Sequence, residues 1–267
     1  IAINTPQNVI DGDLTVHNYQ NGLANSIVLA NKLNATGTIS IIDEEAAVVV
    51  AQNSDISAKN ILLKAINHNV IMNGGKLTAT EKVTFDGVDV IVSGGNIEAP
   101  TAELTAADDI SLNNGTIKAA TASLNAQGTS DNENNGSAIT EGNSFVLDVD
   151  DLQARAKNAI SLTSQSNQLE NVYVANTSGD VTIYNAHNGN IPLKIAVLND
   201  SNGESVVNGS LLVHNLNNHY LSNDIELDKQ LKAMKKEMEA TIAAHKKAVK
   251  ADTAYLEEYT QKMSALK

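Results

Sequence analysis

Apolar residues fall into columns that recur every twenty residues through the middle of the chain. Ile56, Leu77, Ile97 and Ile117 form one column, with a single slip to twenty-one, and Ala58, Ala79, Ala99 and Ala119 follow two positions later. Leu62, Val83, Leu104 and Leu124 make a third, Val70, Val90 and Ile110 a fourth, and Met72, Val92 and Leu112 a fifth. Gly75, Gly95 and Gly115 keep the same interval. Within each unit, apolar and polar residues alternate with the period of a strand. In the unit that opens at Gly75, this alternation predicts strands over 76–79, 82–85 and 88–92, parted by Thr80-Glu81, Asp86-Gly87 and Ser93-Gly94. Leu77, Ala79, Val83, Phe85, Val90 and Val92 share the inward phase, while Thr, Lys, Asp and Ile91 take the outward one.

A unit of this size cannot bury its own apolar face and does so only against its neighbours, which is the logic of a solenoid. The expected core stack is therefore Ile56, Leu77, Ile97 and Ile117 with Ala58, Ala79, Ala99 and Ala119, and Val70, Val90 and Ile110 beside them. Parallel strands would lie about 4.8 Å apart, one coil per unit. Asn-Gly pairs such as Asn73-Gly74 and Asn114-Gly115 suit tight corners, because both residue types tolerate positive φ. Strand-like runs continue on both sides of the clean repeat, at 14–16, 27–29, 39–42 and 48–50 and again from 145 to 213, which suggests about ten coils. The segment 128–143 is almost free of apolar residues and is predicted to be a polar loop thrown out from one corner.

The pattern changes after residue 222. From Asp224 to Lys267 there is no Gly or Pro, and the chain predicts one long amphipathic α-helix over 223–267, with Asn223 as N-cap and Glu226 at N3. Its stripe consists of Leu227, Leu231, Met234, Met238, Ile242, Val249, Leu256, Tyr259, Met263 and Leu266, broken by His245 and Asp252. Such a stripe calls for a partner: another copy, another protein, or the side of its own rod. The predicted organisation is thus mainly β, a parallel β-helix over 1–222 followed by the long helix over 223–267.

Composition narrows the chemistry. Of 267 residues only 3% are aromatic, with no Trp and two Phe, so the core must be built from Ile, Val, Leu and Ala. Cys is absent, which removes disulfides, thiolate ligands and thiol nucleophiles. No apolar run approaches the roughly 20 residues of a membrane span, and the chain opens at Ile1 without a signal-peptide pattern, as expected of a processed product or fragment. The net charge is −13; residues 224–267 are nearly balanced, with nine Lys and eight acids, so that residues 1–223 carry a net −14. An acidic rod without a basic stripe is a poor match for nucleic acid.

No nucleophile, zinc-protease, phosphate-loop or dinucleotide motif occurs. His17, His68, His187, His214, His219 and His245 fit no ligand spacing, the nearest pair being His214 and His219. Asp11 with Asp13, Asp43-Glu44-Glu45, Asp108-Asp109 and the group Asp148, Asp150 and Asp151 read as solvated turns. Calcium coordination and acid–base pairs are the alternatives, and no ladder of these clusters is apparent. Tyr173 and Tyr184 take the outward phase, either as a contact patch or as cover for neighbouring coils. No catalytic residue, metal or cofactor is expected.

The stretch 159–186, AISLTSQSNQLENVYVANTSGDVTIYNA, resembles the degenerate repeats of the filamentous haemagglutinin-like adhesins, and the likeness extends more loosely over 12–215. That resemblance implies a right-handed β-helix, secretion through an outer-membrane partner to the Gram-negative cell surface, and adhesion to a host or neighbouring-cell receptor or glycan. Right-handedness also agrees with the general preference of parallel crossovers. Against an exported, non-enzymatic adhesin or filament segment stand two other readings. One is an assembly subunit that oligomerises or docks through its C-terminal helix; the other, on fold analogy alone, is a polysaccharide-active enzyme.

Overall fold

The computed structural model describes residues 2–19, 25–128, 137–187, 192–198 and 207–216, together with 235–241, 245–247, 250, 256–258, 260–262 and 264, and the side chains from Val9 onward. Two compact units, Ile1–Leu221 and Ser222–Lys267, divide the chain.

The first unit is a parallel β-solenoid. Each turn contributes three strand segments, and every described pairing between strands is parallel, so like segments stack into three ladders. The first ladder carries rungs at Ile27, Val48, Val70, Val90, Ile110, Ile139, Ile160, Val181 and Leu211. These rungs lie 21, 22, 20, 20, 29, 21, 21 and 30 residues apart, which makes eight turns rather than ten. The difference comes from the two long turns, since insertion at a corner lengthens the chain without adding a rung.

In the second ladder Leu33, Ile56, Leu77, Ile97, Ile117 and Leu147 are in register, and Ala58 lies against Ala79 and Ala119 against Val149. The third ladder shows that Leu62 does not belong with Val83: Ile61 is Val83's partner, and Ala102 and Ala122 continue that column. Leu63, Phe85, Leu104 and Leu124 form the next one inward. The twenty-residue beat misaligned Leu62 because the turns on either side of it are longer than twenty, and parity then moves it to the outward face.

Except for Leu211 at the last rung, these inward residues are buried, and Leu77, Phe85, Val90, Ile97, Leu104 and Ile117 are completely so. Each such side chain contributes on the order of 1.5–3 kcal/mol by leaving water. Some corners are bends within a continuous strand rather than breaks: Val70–Gly87 passes through Thr80-Glu81, and Val90–Glu98 through Ser93-Gly94, whereas the chain leaves the strands at 88–89, 99–100 and 107–109. Asp86 and Gly87 still belong to the ladder, and Gly87 pairs with Ala106. Gly75, Gly95 and Gly115 have φ of +79°, +92° and +125° at one corner, where a Cβ on Gly95 would stand 2.6 Å from the backbone of Gly74 and Gly75. Only glycine takes this bend without strain.

Two expected boundaries change. Residues 129–136 lie outside the described residues, but the rest of the expected loop does not stay a loop: strand Ile139–Ala156 begins inside it, and Ile139 is fully buried between Ile110 and Ile160. One well-placed apolar residue outweighs its polar surroundings when a neighbouring rung offers every backbone partner.

The second unit contains helical stretches, the longest described being 235–241, and no long helix runs over 223–267 among the described residues. Met238 and Leu256 are 61% and 62% exposed, so burial does not support the stripe there. The hydroxyls of Thr241 and Thr260 donate to the carbonyls of Glu237 and Leu256, four residues back, a bond that weakens and bends helices. Leu227, Leu231, Met234, Ile242, Val249, Tyr259, Met263 and Leu266 lie outside the described residues. Among the described residues, no helix is long and apolar enough to cross a membrane.

Candidate functional site

The outward side of the first ladder changes character along the stack. Its middle residues, one per rung, are Val28, Val49, Ile71 and Ile91, in register and half-buried. The same column then runs through Ser111, Thr140, Ser161 and Thr182 and ends, at the last described rung, on the exposed Leu212. The four apolar rungs have the sequences Ile27-Val28-Leu29, Val48-Val49-Val50, Val70-Ile71-Met72 and Val90-Ile91-Val92. Alternation needs an apolar residue only at the first and third positions of each triplet. The middle one is surplus to the core and is held in contact with water by its parity.

Beside this stripe an open groove of about 660 Å³ runs along the first rungs. Val28, Ala30, Val49 and Ala51 are its apolar lining residues, and Asn31, Gln52, Asn53, Asn73 and Ser93 its polar ones. The polar lining comes from the corners: Asn31 takes φ of +65°, which Asn tolerates, and the Gln52-Asn53 turn packs against Gly74, where a Cβ would come within 2.8 Å of the Gln52 backbone. None of the lining residues is ionisable.

The other sides of the solenoid are charged. Lys32–Asp55, Lys59–Glu81, Lys64–Asp86, Lys76–Glu98, Lys82–Glu103 and Lys118–Asp148 pair at 2.6–3.8 Å, each between a Lys and an acid one turn later. Glu81 also accepts a hydrogen bond from Asn60, and that bond, ahead of Lys59, holds its carboxyl below the usual range. A second depression, lined by Thr78, Glu98, Pro100, Lys118, Asp148 and Asp150 among others, has charged walls.

Two acidic residues, Asp43 and Glu141, are buried among the described residues. Glu141 occupies an inward column, directly next to Leu112, and its side chain is buried. Its Oε2 accepts from the Ser164 N–H at 2.9 Å and the Asn167 Nδ2 at 2.8 Å, while Oε1 is buried without a hydrogen-bond partner among the described residues. Burial pushes its carboxyl up to about 7 against the pull of those two donors. Asn167, wholly buried, accepts from the Leu147 N–H at 2.9 Å, so the carboxyl is tied to the backbone of the second ladder.

The acidic clusters named from sequence are mostly bound into turns. Asp43 is fully buried and accepts from the Ala46 and Glu45 N–H groups and from Asn18. Asp13 accepts from the Thr38 N–H at 2.6 Å, Asp11 from the Thr36 hydroxyl, and Asp151 from Asn171. A ladder that escaped sequence reading does exist: Asn69, Asp89 and Asp109 each accept the backbone N–H at the equivalent position of the next turn, from Asp89, Asp109 and Ala138 at 2.9–3.1 Å. Its signal was an Asn or Asp directly before Val70, Val90 and Ile110. Among the described residues no three His, Asp or Glu side chains gather where a metal ion would need them.

Tyr173 and Tyr184 are not brought together. Tyr173 is on the third ladder between Gln153 and Ala196, whereas Tyr184 is on the first, its ring 4.6 Å from that of His214. His219 and Asp252 lie outside the described residues. Sequence reading placed Ile91 on the outward phase but did not join it to Val28, Val49 and Ile71; the uninterrupted triplets were the available signal.

No protein-family model, curated protein or solved structure matches the chain.

Proposed function

We propose that this chain is a non-enzymatic segment of an exported bacterial surface adhesin or filament, a right-handed β-helix whose stacked turns give reach and whose sides give contact. The observation that carries this reading is the outward apolar column Val28, Val49, Ile71 and Ile91. Apolar side chains held in water at ladder spacing add nothing to the core and suit a surface that meets a partner. Stiffness follows from the stack itself, since each turn is hydrogen-bonded to the ones on either side. The acidic balance supports the reading by disfavouring a phosphate-backbone partner.

Immunogold electron microscopy of intact source cells, paired with adhesion of beads coated with the full chain, tests it. Label on the outer surface and bead adhesion to cells are the expected results. Label confined to the cytoplasm would overturn the reading.

A further inference from the structure

We propose that a depression at the end of the third ladder, lined by Arg155 and Lys157, binds a phosphomonoester group. Arg155 is the only arginine of the chain. Six lysines of the solenoid each meet an acid one turn later, and Arg155 and Lys157 break that pattern together. Arg155 is in register between Asn125 and Ala175, so neither neighbouring rung offers it a carboxylate. Lys157 follows at the corner, where its stem passes so close to Gly128 that a Cβ there would collide with it, and where its carbonyl accepts from the Thr177 hydroxyl at 2.9 Å. Neither cationic head has an ion-pair or hydrogen-bond partner among the described residues. Two positive charges placed two residues apart repel each other unless an anion joins them. A chain of net −13 has acids to spare for that purpose, and none is placed here.

The lining selects the kind of anion. The depression holds about 210 Å³, room for a small group, and Arg155 and Lys157 are the only ionisable residues that line it. Asn125 and Gln127 add neutral amide donors. The guanidinium presents a planar fork that matches paired oxygens, and the ammonium is a compact charge on a flexible stem. A phosphomonoester brings about −1.5 to −2 charges at pH 7 and three acceptor oxygens, which answers both cations at once. A carboxylate or a phosphodiester brings a single charge and leaves one cation unanswered. Nucleic acid needs a stripe of cations to follow its backbone, and one pair is no stripe. The acidic field of the whole chain repels anions at long range, so retention rests on the local pair.

The test is calorimetric titration of the full chain with inorganic phosphate and glycerol 3-phosphate, against dimethyl phosphate, sulfate and succinate, at about 0.15 M ionic strength, where exposed charges are screened beyond roughly 8 Å. Flotation with phosphatidylcholine vesicles carrying phosphatidic acid offers the same group on a lipid, and the two arms tell a soluble ester from a headgroup. A phosphomonoester should bind in at least one arm, and more tightly than the diester, sulfate or succinate. Arg155→Gln and Lys157→Gln should each weaken it by about tenfold or more. Lys82→Gln, which removes a paired lysine from the same ladder, should leave it unchanged. Circular dichroism checks the fold of each variant, and should Arg155→Gln fail to fold, the exposed Lys157 decides alone. Binding in neither arm, equal binding of sulfate or succinate, indifference to the Arg155 and Lys157 substitutions, or an equal loss in Lys82→Gln would overturn the proposal. The adhesin reading is judged separately, by where the label falls on intact cells.

Discussion

Glu141 is where a single residue departs furthest from the rule of its column. The position is inward, next to Leu112, and an apolar residue there would complete the stack; instead a carboxyl is buried with one oxygen held by Ser164 and Asn167 and the other without a hydrogen-bond partner among the described residues. Burial disfavours the ionised form, so the folded chain holds this proton up to about 7, against an ordinary value of 4.5. The folded state therefore binds the proton more tightly than the unfolded one. The resulting stabilisation is complete below about pH 4.5 and fades as pH rises through 7. The size of the effect is on the order of 3 kcal/mol. Urea unfolding of the full chain across pH 4–8 should show this decline superimposed on the other titrations, and Glu141→Gln, which keeps a carbonyl for the two donors, should remove it and be the more stable form at pH 8. Identical pH profiles for the two proteins would mean that Glu141 stays ionised in the fold.

Among the elements, the ladders differ sharply in what holds them. Ile97 is completely buried between Leu77 and Ile117, whereas Lys76 and Glu98, on the same ladder, pair at 3.2 Å with about half of each side chain in water. Ile97→Ala removes transfer energy and leaves a cavity that the rigid neighbouring turns cannot close, at about 2–5 kcal/mol. Lys76→Ala should cost less than about 1 kcal/mol, because exposed pairs gain little over their hydration. Denaturant midpoints of the two variants check the contrast, and equal losses would shift the credit from the stack to the ion pairs. The same contrast explains what the sequence made legible. Columns such as Leu77, Ile97 and Ile117 could be read because burial enforces identity of type and parity at every turn. Leu62 was misplaced because an apolar side chain satisfies either face when the turn length is uncertain. The polar lining of the groove went unread for a different reason: Asn31, Gln52 and Asn73 recur every 21 residues, but corner residues of this kind read as ordinary turns until the fold places them along one depression. The long C-terminal helix was predicted from periodicity, a cap and the lack of Gly and Pro, and such local signals say which face would be buried without saying whether anything buries it.

For the solenoid unit as a whole, stability is a sum over turns and their interfaces, so position along the stack matters as much as residue type. A middle turn has two neighbours; an end turn has one and presents an unpaired strand edge on the other side. The rungs reflect this. Val90 and Ile110 are completely buried at mid-stack, while at the last described rung Leu211 and Leu212 are 41% and 49% exposed, and at the first strand Val9 is 76% exposed. Apolar contact, which supplies the interface energy between turns, is thus thinnest at both ends. Native-state hydrogen exchange should accordingly be graded. Amides of strands Val70–Gly87, Val90–Glu98 and Ile110–Ala126 should exchange slowest, and those of Ala2–Ile10 and Leu211–Asn215 fastest. Ile97→Ala, by weakening a central interface, should narrow that gradient by accelerating the middle turns more than the ends. Uniform protection from Ala2 to Asn215 would show instead that the stack opens only as one cooperative body, and that the nearest-neighbour description fails for it.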